Sequence, residues 1–270
     1  MSVAEINSEH LLDRNMQPQE GGILDPRMGT SDRKDRCGTC GCSYIECPGH
    51  FGHINLAQPV FHGGYVTSVL NILRSICCEC GSLLMRDKAL RESIRRRSSA
   101  RTRFRRVKEA CQKIKECAID KELGIGCGHV QPNYRKIGLS IWREYTGNTG
   151  PAGPQGAGDP KRSLRAEEVR NIFKKLSDDD IKLLGFDPLQ SRPDWMIISA
   201  LAVAPPPVRP SVQAGDGIRS EDDLTYVYRM IVKTNNELRR CIESGQPEKT
   251  QEAVLKNLQL LVATIMDNNI

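Results

Sequence analysis

The sequence has 270 residues, 39% of them apolar with a further 23 glycines, a composition that suits a folded chain and excludes wholesale disorder. No run approaches the roughly 18 to 20 consecutive apolar residues of a membrane span, and the opening MSVAEINSEHLL has neither the basic nor the apolar region of an export signal. The eleven cysteines are therefore expected in a reducing compartment as metal or redox groups, and the net charge of +6 matters less than its distribution.

Residues 1–36 carry little periodic apolar pattern and, with Gly21, Gly22 and the turn Asp25 to Gly29, read as an extended lead-in. A Cys/Gly/His-rich stretch follows from Arg36 to His62. Val66, Val69, Leu70 and Leu73 then suit a helix of about two turns that delivers the chain to a second cysteine cluster. Between Arg86 and Lys115 the spacing of Phe104, Val107, Cys111 and Ile114 predicts a helix whose other face is basic. From Arg91 to Lys108 nine Lys and Arg stand against one Glu, a local net of +8 that exceeds the whole chain's +6. This is either a solvated face or an anion-facing surface, and Arg95, Arg96, Arg97, Arg101, Arg103, Arg105 and Arg106 are the candidate nucleic-acid contacts.

Four glycines at period three in GNTGPAGPQGAGDP are too few for a collagen helix and predict a linker, so that residues 137–162 read as a strand and a Gly/Pro-rich connection. Ser163 ahead of Glu167, and Ser177 ahead of Asp178, Asp179 and Asp180, predict two helix N-termini. The aspartates meet the helix dipole rather than one ion, because consecutive helical side chains fan about 100° apart. The APPPVRP segment at 204–210 reads as stiff and extended. Leu224, Val227, Tyr228, Ile231 and Leu238, then Val254, Leu258, Leu261, Val262 and Ile265, line two helices joined by ESGQPEK, an αα-hairpin by pattern. Cys241 on its flank has no ligand-like neighbour.

The chemistry lies in the cysteine clusters. Cys37-x-x-Cys40 followed by Cys47-x-x-His50 forms two knuckles able to close a tetrahedron around zinc, with Zn–S near 2.3 Å. A redox C-x-x-C would stand at the start of a helix after a strand, a pattern missing around Cys37. Cys42, His53 and His62 are spares. The second set begins with Cys77-x-x-Cys80 and continues with Cys127, flanked by glycines; its fourth ligand is Cys117, Cys111 or His129, of which Cys117 is polar-flanked and Cys111 falls on an apolar stripe. With every position supplied by protein, both sites are structural. No Ser/His/Asp set, phosphate-binding loop or acid/base pair appears. Residues alone thus give a two-zinc, nucleic-acid-leaning structural protein, such as a free-standing transcription regulator.

The wording of the motifs adds to this. LDPRMGTSDRKDRCGTCGCSYIECPGHFGHINLAQPVFH resembles the N-terminal clamp region of the largest subunit of eukaryotic DNA-directed RNA polymerases, and ICCECGSLL, GCGHVQPNYRKIGL, LGFDPLQSRPDWMIISALAVAPPPVRPSV, EDDLTYVYRMIVKTNNELRR and LLVATIMDNNI follow in the family's order. The resemblance runs from about Ile23 to Ile270, and VAPPPVRPS with SRPDWM points to polymerase II over I or III. It implies a mixed α+β, irregular fold: a two-zinc clamp-head region with the basic helix at 37–136, and a clamp-core region with the C-terminal helical hairpin at 163–270. It further implies that one zinc is held by Cys37, Cys40, Cys47 and His50 and a second by Cys77, Cys80, Cys117 and Cys127. The implied partners are the other polymerase subunits, especially the second-largest, template DNA and the RNA–DNA hybrid, and transcription factors on the clamp, in the nucleus and with no membrane. The family's catalytic aspartates, which hold Mg²⁺ in the full enzyme, have no counterpart here. The chain is therefore expected to be a fragment that inherits a nucleotidyltransferase label but is inactive alone.

Overall fold

The structure is a computed structural model that describes residues 2–15, 17–30, 35–97, 99–119, 126–145, 161–213 and 219–267. In chain order its strands are β1 (Ala4–Glu5), β2 (Gly52–Phe61), β3 (Asn133–Ile137), β4 (Ser140–Glu144), β5 (Lys161–Leu164), β6 (Ile197–Val203), β7 (Val212–Gln213) and β8 (Arg219–Ser220). Its helices are α1 (Val66–Leu73), α2 (Lys88–Arg95), α3 (Ala100–Cys111), α4 (Ala166–Lys174), α5 (Asp178–Leu183), α6 (Asp223–Glu243) and α7 (Glu248–Met266). The fold is thus mixed, with helices, two three-stranded sheets and a two-stranded ribbon. No helix among the described residues is long and apolar enough to cross a membrane.

The chain divides into two compact units, one formed by residues 1–59 with 198–270 and the other by residues 60–197. In the first, β1 runs parallel to β2 with Ala4 opposite Gly52 and Glu5 opposite His53, in a sheet ordered β1-β2-β6. Buried polar groups stitch this unit together. Asn235 on α6 accepts from Ala57 N at 2.7 Å and donates to Asn55 O at 2.9 Å, which fixes the helix against β2. Arg209, 1% exposed, donates to Ile23 O, Ala204 O and Thr225 Oγ1, so that three chain segments satisfy one cation. Helices α6 and α7 pack against each other, and α6 buries Tyr228, Ile231 and Leu238.

Three local expectations change. APPPVRP is not extended throughout, because Pro206–Val208 closes a 3-10 turn with Val208 N donating to Pro205 O; proline's fixed φ is already that of a first helical residue. The basic stretch is two helices rather than one. Asp87 caps α2 through Ala89 N and Leu90 N, and Ser99 takes extended backbone ahead of α3 without a side-chain cap bond, serine being a poorer helix former than the arginines around it. Ser163 does not start a helix, since it pairs with Trp142 inside β5 and α4 begins after Arg165 with Glu168 reaching back to the Arg165 N–H. Ser177 does cap α5, through Asp180 N at 3.2 Å.

The second unit has one contiguous apolar core. Val66, Val69 and Leu73 of α1 meet Val107 and Cys111 of α3, Ile141 and Leu164 of the β3-β4-β5 sheet, Val169 and Phe173 of α4 and Ile181 of α5. Cys77 and Cys117 belong to the same cluster and are fully buried. A cysteine pair is thereby anchored in the core before any ligand chemistry is considered. Strands β4 and β5, which flank the Gly/Pro-rich segment, pair antiparallel. The segment's own residues 147–160 lie outside those described.

Candidate metal centres

In the first unit, Cys37 to Cys42 curl into a tight turn. Cys37 N donates to Cys42 O at 3.0 Å, Gly41 N to Cys37 O at 2.8 Å, and Thr39 N to Cys37 Sγ at 3.4 Å. The turn needs φ of +68° at Gly41, a left-handed value that a side chain disfavours. Gly49 N likewise donates to Cys47 Sγ at 3.4 Å. Both halves rest on the Asp25–Met28 turn: Gly38 N donates to Pro26 O, Thr39 Oγ1 to Arg27 O and His50 N to Met28 O. That turn is held by Asp25, wholly buried, which accepts from Gly21 N, Arg27 N and the Arg27 guanidinium. Burial works to raise the Asp25 pKa, but these donors together outweigh it and hold the carboxyl below its ordinary value.

The result is a closed donor set. Cys37, Cys40, Cys47 and His50 bring four ligand atoms within 4.8 Å of one another, with Cys40 and Cys47 sulfurs 3.5 Å apart and His50 Nε2 3.8 Å from Cys47 Sγ. Sulfurs at tetrahedral corners around an ion at 2.3 Å would sit about 3.8 Å apart, so the spacing fits. The imidazole of His50 is the main reason the Cys40 thiol is lowered to about 6, whereas burial pushes Cys47 up to about 11. Binding of an ion displaces the protons that remain on the donor thiols.

The second unit repeats the same turn. Cys77 N donates to Ser82 O at 2.8 Å, Gly81 N to Cys77 O at 3.1 Å and Glu79 N to Cys77 Sγ at 3.4 Å, with Gly81 at φ +72°. The other half is a crossed pair of main-chain bonds: Cys117 N to His129 O at 2.9 Å and Gly128 N to Cys117 O at 2.8 Å. Cys77, Cys80, Cys117 and Cys127 again lie within 4.8 Å, with Cys77 and Cys127 sulfurs 3.5 Å apart and Cys80 and Cys117 sulfurs 3.8 Å apart. Cys117 is thus the fourth member of the cluster. Cys111 is 1% exposed in the core, where burial pushes its thiol up to about 11, and His129 joins through its main chain.

Three residues around this cluster escape a reading by spacing. Arg86 Nη2 lies 3.4 Å from Cys117 Sγ and Gln131 Nε2 lies 3.3 Å from Cys77 Sγ, both donors to sulfur. Gln131 Oε1 also accepts from Cys78 N. Cys78 is a donor rather than a ligand, and its thiol is the main reason Cys77 falls to about 3. The spares stay outside both clusters. His53 Nδ1 lies 2.7 Å from Ser2 Oγ, His62 accepts from Gly64 N beside Tyr65, and the Cys42 thiol donates to Cys40 O.

The family described as RNA polymerase Rpb1, domain 1 matches residues 1–270. The chain belongs to that family. Among its relatives, DNA-directed RNA polymerase II subunit RPB1 of Euplotoides octocarinatus is 42% identical over 273 residues, covering 99% of this chain and 56% of the relative. The chain therefore spans about half the length of that curated relative.

In this Rpb1 domain the arginines fall on two packed helices and the turn between them. Arg95 ends α2, Arg96 and Arg97 follow it, and Arg101, Arg103, Arg105 and Arg106 lie on α3. Arg96 sits 3.4 Å from Glu92, whereas Arg95 from Glu92 and Arg105 and Arg106 from Glu109 are 3.9 to 4.0 Å apart, all on side chains half exposed or more. Such solvated pairs leave most of the field intact. Arg91 is different, because it pairs with the buried Asp180 at 2.5 Å and donates to Met85 O. Asp178 turns instead to Arg192 at 3.1 Å, so the aspartate run diverges.

Proposed function

We propose that this chain forms the zinc-stabilised clamp of the largest subunit of a DNA-directed RNA polymerase II, acting in the nucleus against template DNA and the RNA–DNA hybrid. The observation that carries this reading is the pair of closed four-donor clusters, Cys37, Cys40, Cys47 and His50, and Cys77, Cys80, Cys117 and Cys127, within a chain of the Rpb1 family. Zinc bound at each would cross-link its turns with no position left for water or substrate, a structural role. The chain's own residues do the rest: the Asp25 turn orients Cys37 and His50, and the core holds Cys77 and Cys117.

The Euplotoides relative is named as a subunit, which supports other polymerase subunits as partners. The second-largest subunit and transcription factors belong to the proposal as the expected ones. Nucleotidyl transfer belongs to the whole enzyme, since it needs two Mg²⁺ held by convergent carboxylates, whereas Asp178 and Asp180 turn to different arginines. The chain alone should incorporate no nucleotide. The surface offered to nucleic acid is the arginine-rich α2–α3 pair. Replacing Arg95, Arg96, Arg105 and Arg106 with glutamine should lower the salt slope of single-stranded DNA binding by up to about three. An unchanged slope and affinity would leave these helices a solvated face.

A further inference from the structure

A pocket of about 490 Å³ opens in the second unit between the end of α1, α3 and the segment entering β3. It has an apolar floor and a cationic wall. Leu73, Leu84, Cys111 and Tyr134 are buried beneath it, and the lining carries Arg74, Lys108, Lys115 and Arg135 with no carboxylate among the described residues. Arg74 is held in place by donating to Tyr134 O at 2.6 Å. Arg135 is loosely tethered 3.9 Å from Glu144, on a side chain more than two-thirds exposed. Neither Lys108 nor Lys115 pairs with a carboxylate among the described residues. Four like charges around one concavity repel each other and focus a positive field into it. Gln131, which also lines the pocket, reaches Cys77 Sγ, but the four cations have no role in the metal centres described above.

We propose that this pocket binds a phosphorylated side chain of a protein partner. A phosphomonoester carries nearly two negative charges and three acceptor oxygens on one compact group, which several converging cations and the Gln112 and Asn133 amides can share. A nucleic-acid backbone instead presents singly charged diesters in a row, which suits an exposed ridge better than a recess. The volume lies in the range of small-ligand pockets, and the apolar floor accommodates the aliphatic stem that carries the phosphate.

The test uses the whole chain, a degenerate pool of short peptides centred on phosphoserine, the same pool without phosphate, and a single-stranded DNA oligonucleotide. The phosphorylated pool should bind about tenfold or more tightly than its counterpart. The exposed double variant Lys108→Ala, Lys115→Ala should erase that preference with an unchanged melting temperature, and Arg74→Gln should do so in part. Equal binding of the two pools, or a preference that survives the double variant, overturns the proposal. So does a double variant that weakens DNA binding as much as phosphopeptide binding, which would make the pocket part of a nucleic-acid surface.

Discussion

Asp180→Ala should destabilise the second unit by about 3 kcal/mol. The carboxylate is 8% exposed and accepts from Arg91 Nη2 at 2.5 Å and from Leu83 N at 3.3 Å. Removing one partner of a fully buried ion pair costs about 3–5 kcal/mol. The Arg91 side chain is a quarter exposed and would regain part of its hydration, which brings that share to about 2. Leaving the Leu83 N–H unpaired adds about 1. Asp180→Asn keeps an acceptor for Leu83 and should cost only about 2. Both tryptophans, Trp142 and Trp195, lie within residues 60–197, so fluorescence during urea unfolding of the metal-loaded chain reads this unit selectively. A double-mutant cycle with Arg91→Ala separates the pair from its surroundings. A loss below about 0.5 kcal/mol for Asp180→Ala would make this an ordinary surface pair and refute the reasoning.

The Asp25 carboxyl, with an unfolded value near 3.8 and a lower folded one, contributes stability that is fully present above pH 3.8 and is lost as pH falls through the folded value. Hydrogen exchange at the Gly21 and Arg27 amides should accelerate across that window, and Asp25→Asn should remove the step. Gly81→Ala should cost more than Gly41→Ala although both need φ near +70°. A Cβ at 81 would meet Lys175 Cβ at 2.6 Å and Ile172 O at 3.2 Å, whereas one at 41 meets open space, leaving about 1–2 kcal/mol of backbone strain there. Thermal melts of the two variants check the order, and equal shifts would discount the contact with α4.

The first donor set could be read from sequence because its four residues fall within fourteen positions and each half is a self-contained turn. The choice of Cys117 over Cys111 could not be settled by spacing. It depends on an isolated bridge between Glu116 and Val130 that turns the chain back, and on a core that claims Cys111. The seat of the first cluster was equally hidden, since Asp25 looks like one more turn residue until its burial and four donors are seen. Apolar spacing found α1 and the two C-terminal helices, yet it ran α2 and α3 together, because neither periodicity nor charge marks the extended backbone at Ser99. The Arg91–Asp180 pair joins residues 89 apart in sequence and takes one arginine out of the basic face, a consequence of packing that composition does not carry.

Metal content tests the two clusters most directly. Elemental analysis of the folded chain should return two zinc ions, one for each cluster. Cys117→Ser should reduce this to one and loosen the second unit, because a structural zinc contributes on the order of 10 kcal/mol to the fold around it. Cys111→Ser, which alters only a core thiol, should keep both. One zinc or none in folded protein, or loss on substituting Cys111 but not Cys117, would contradict it.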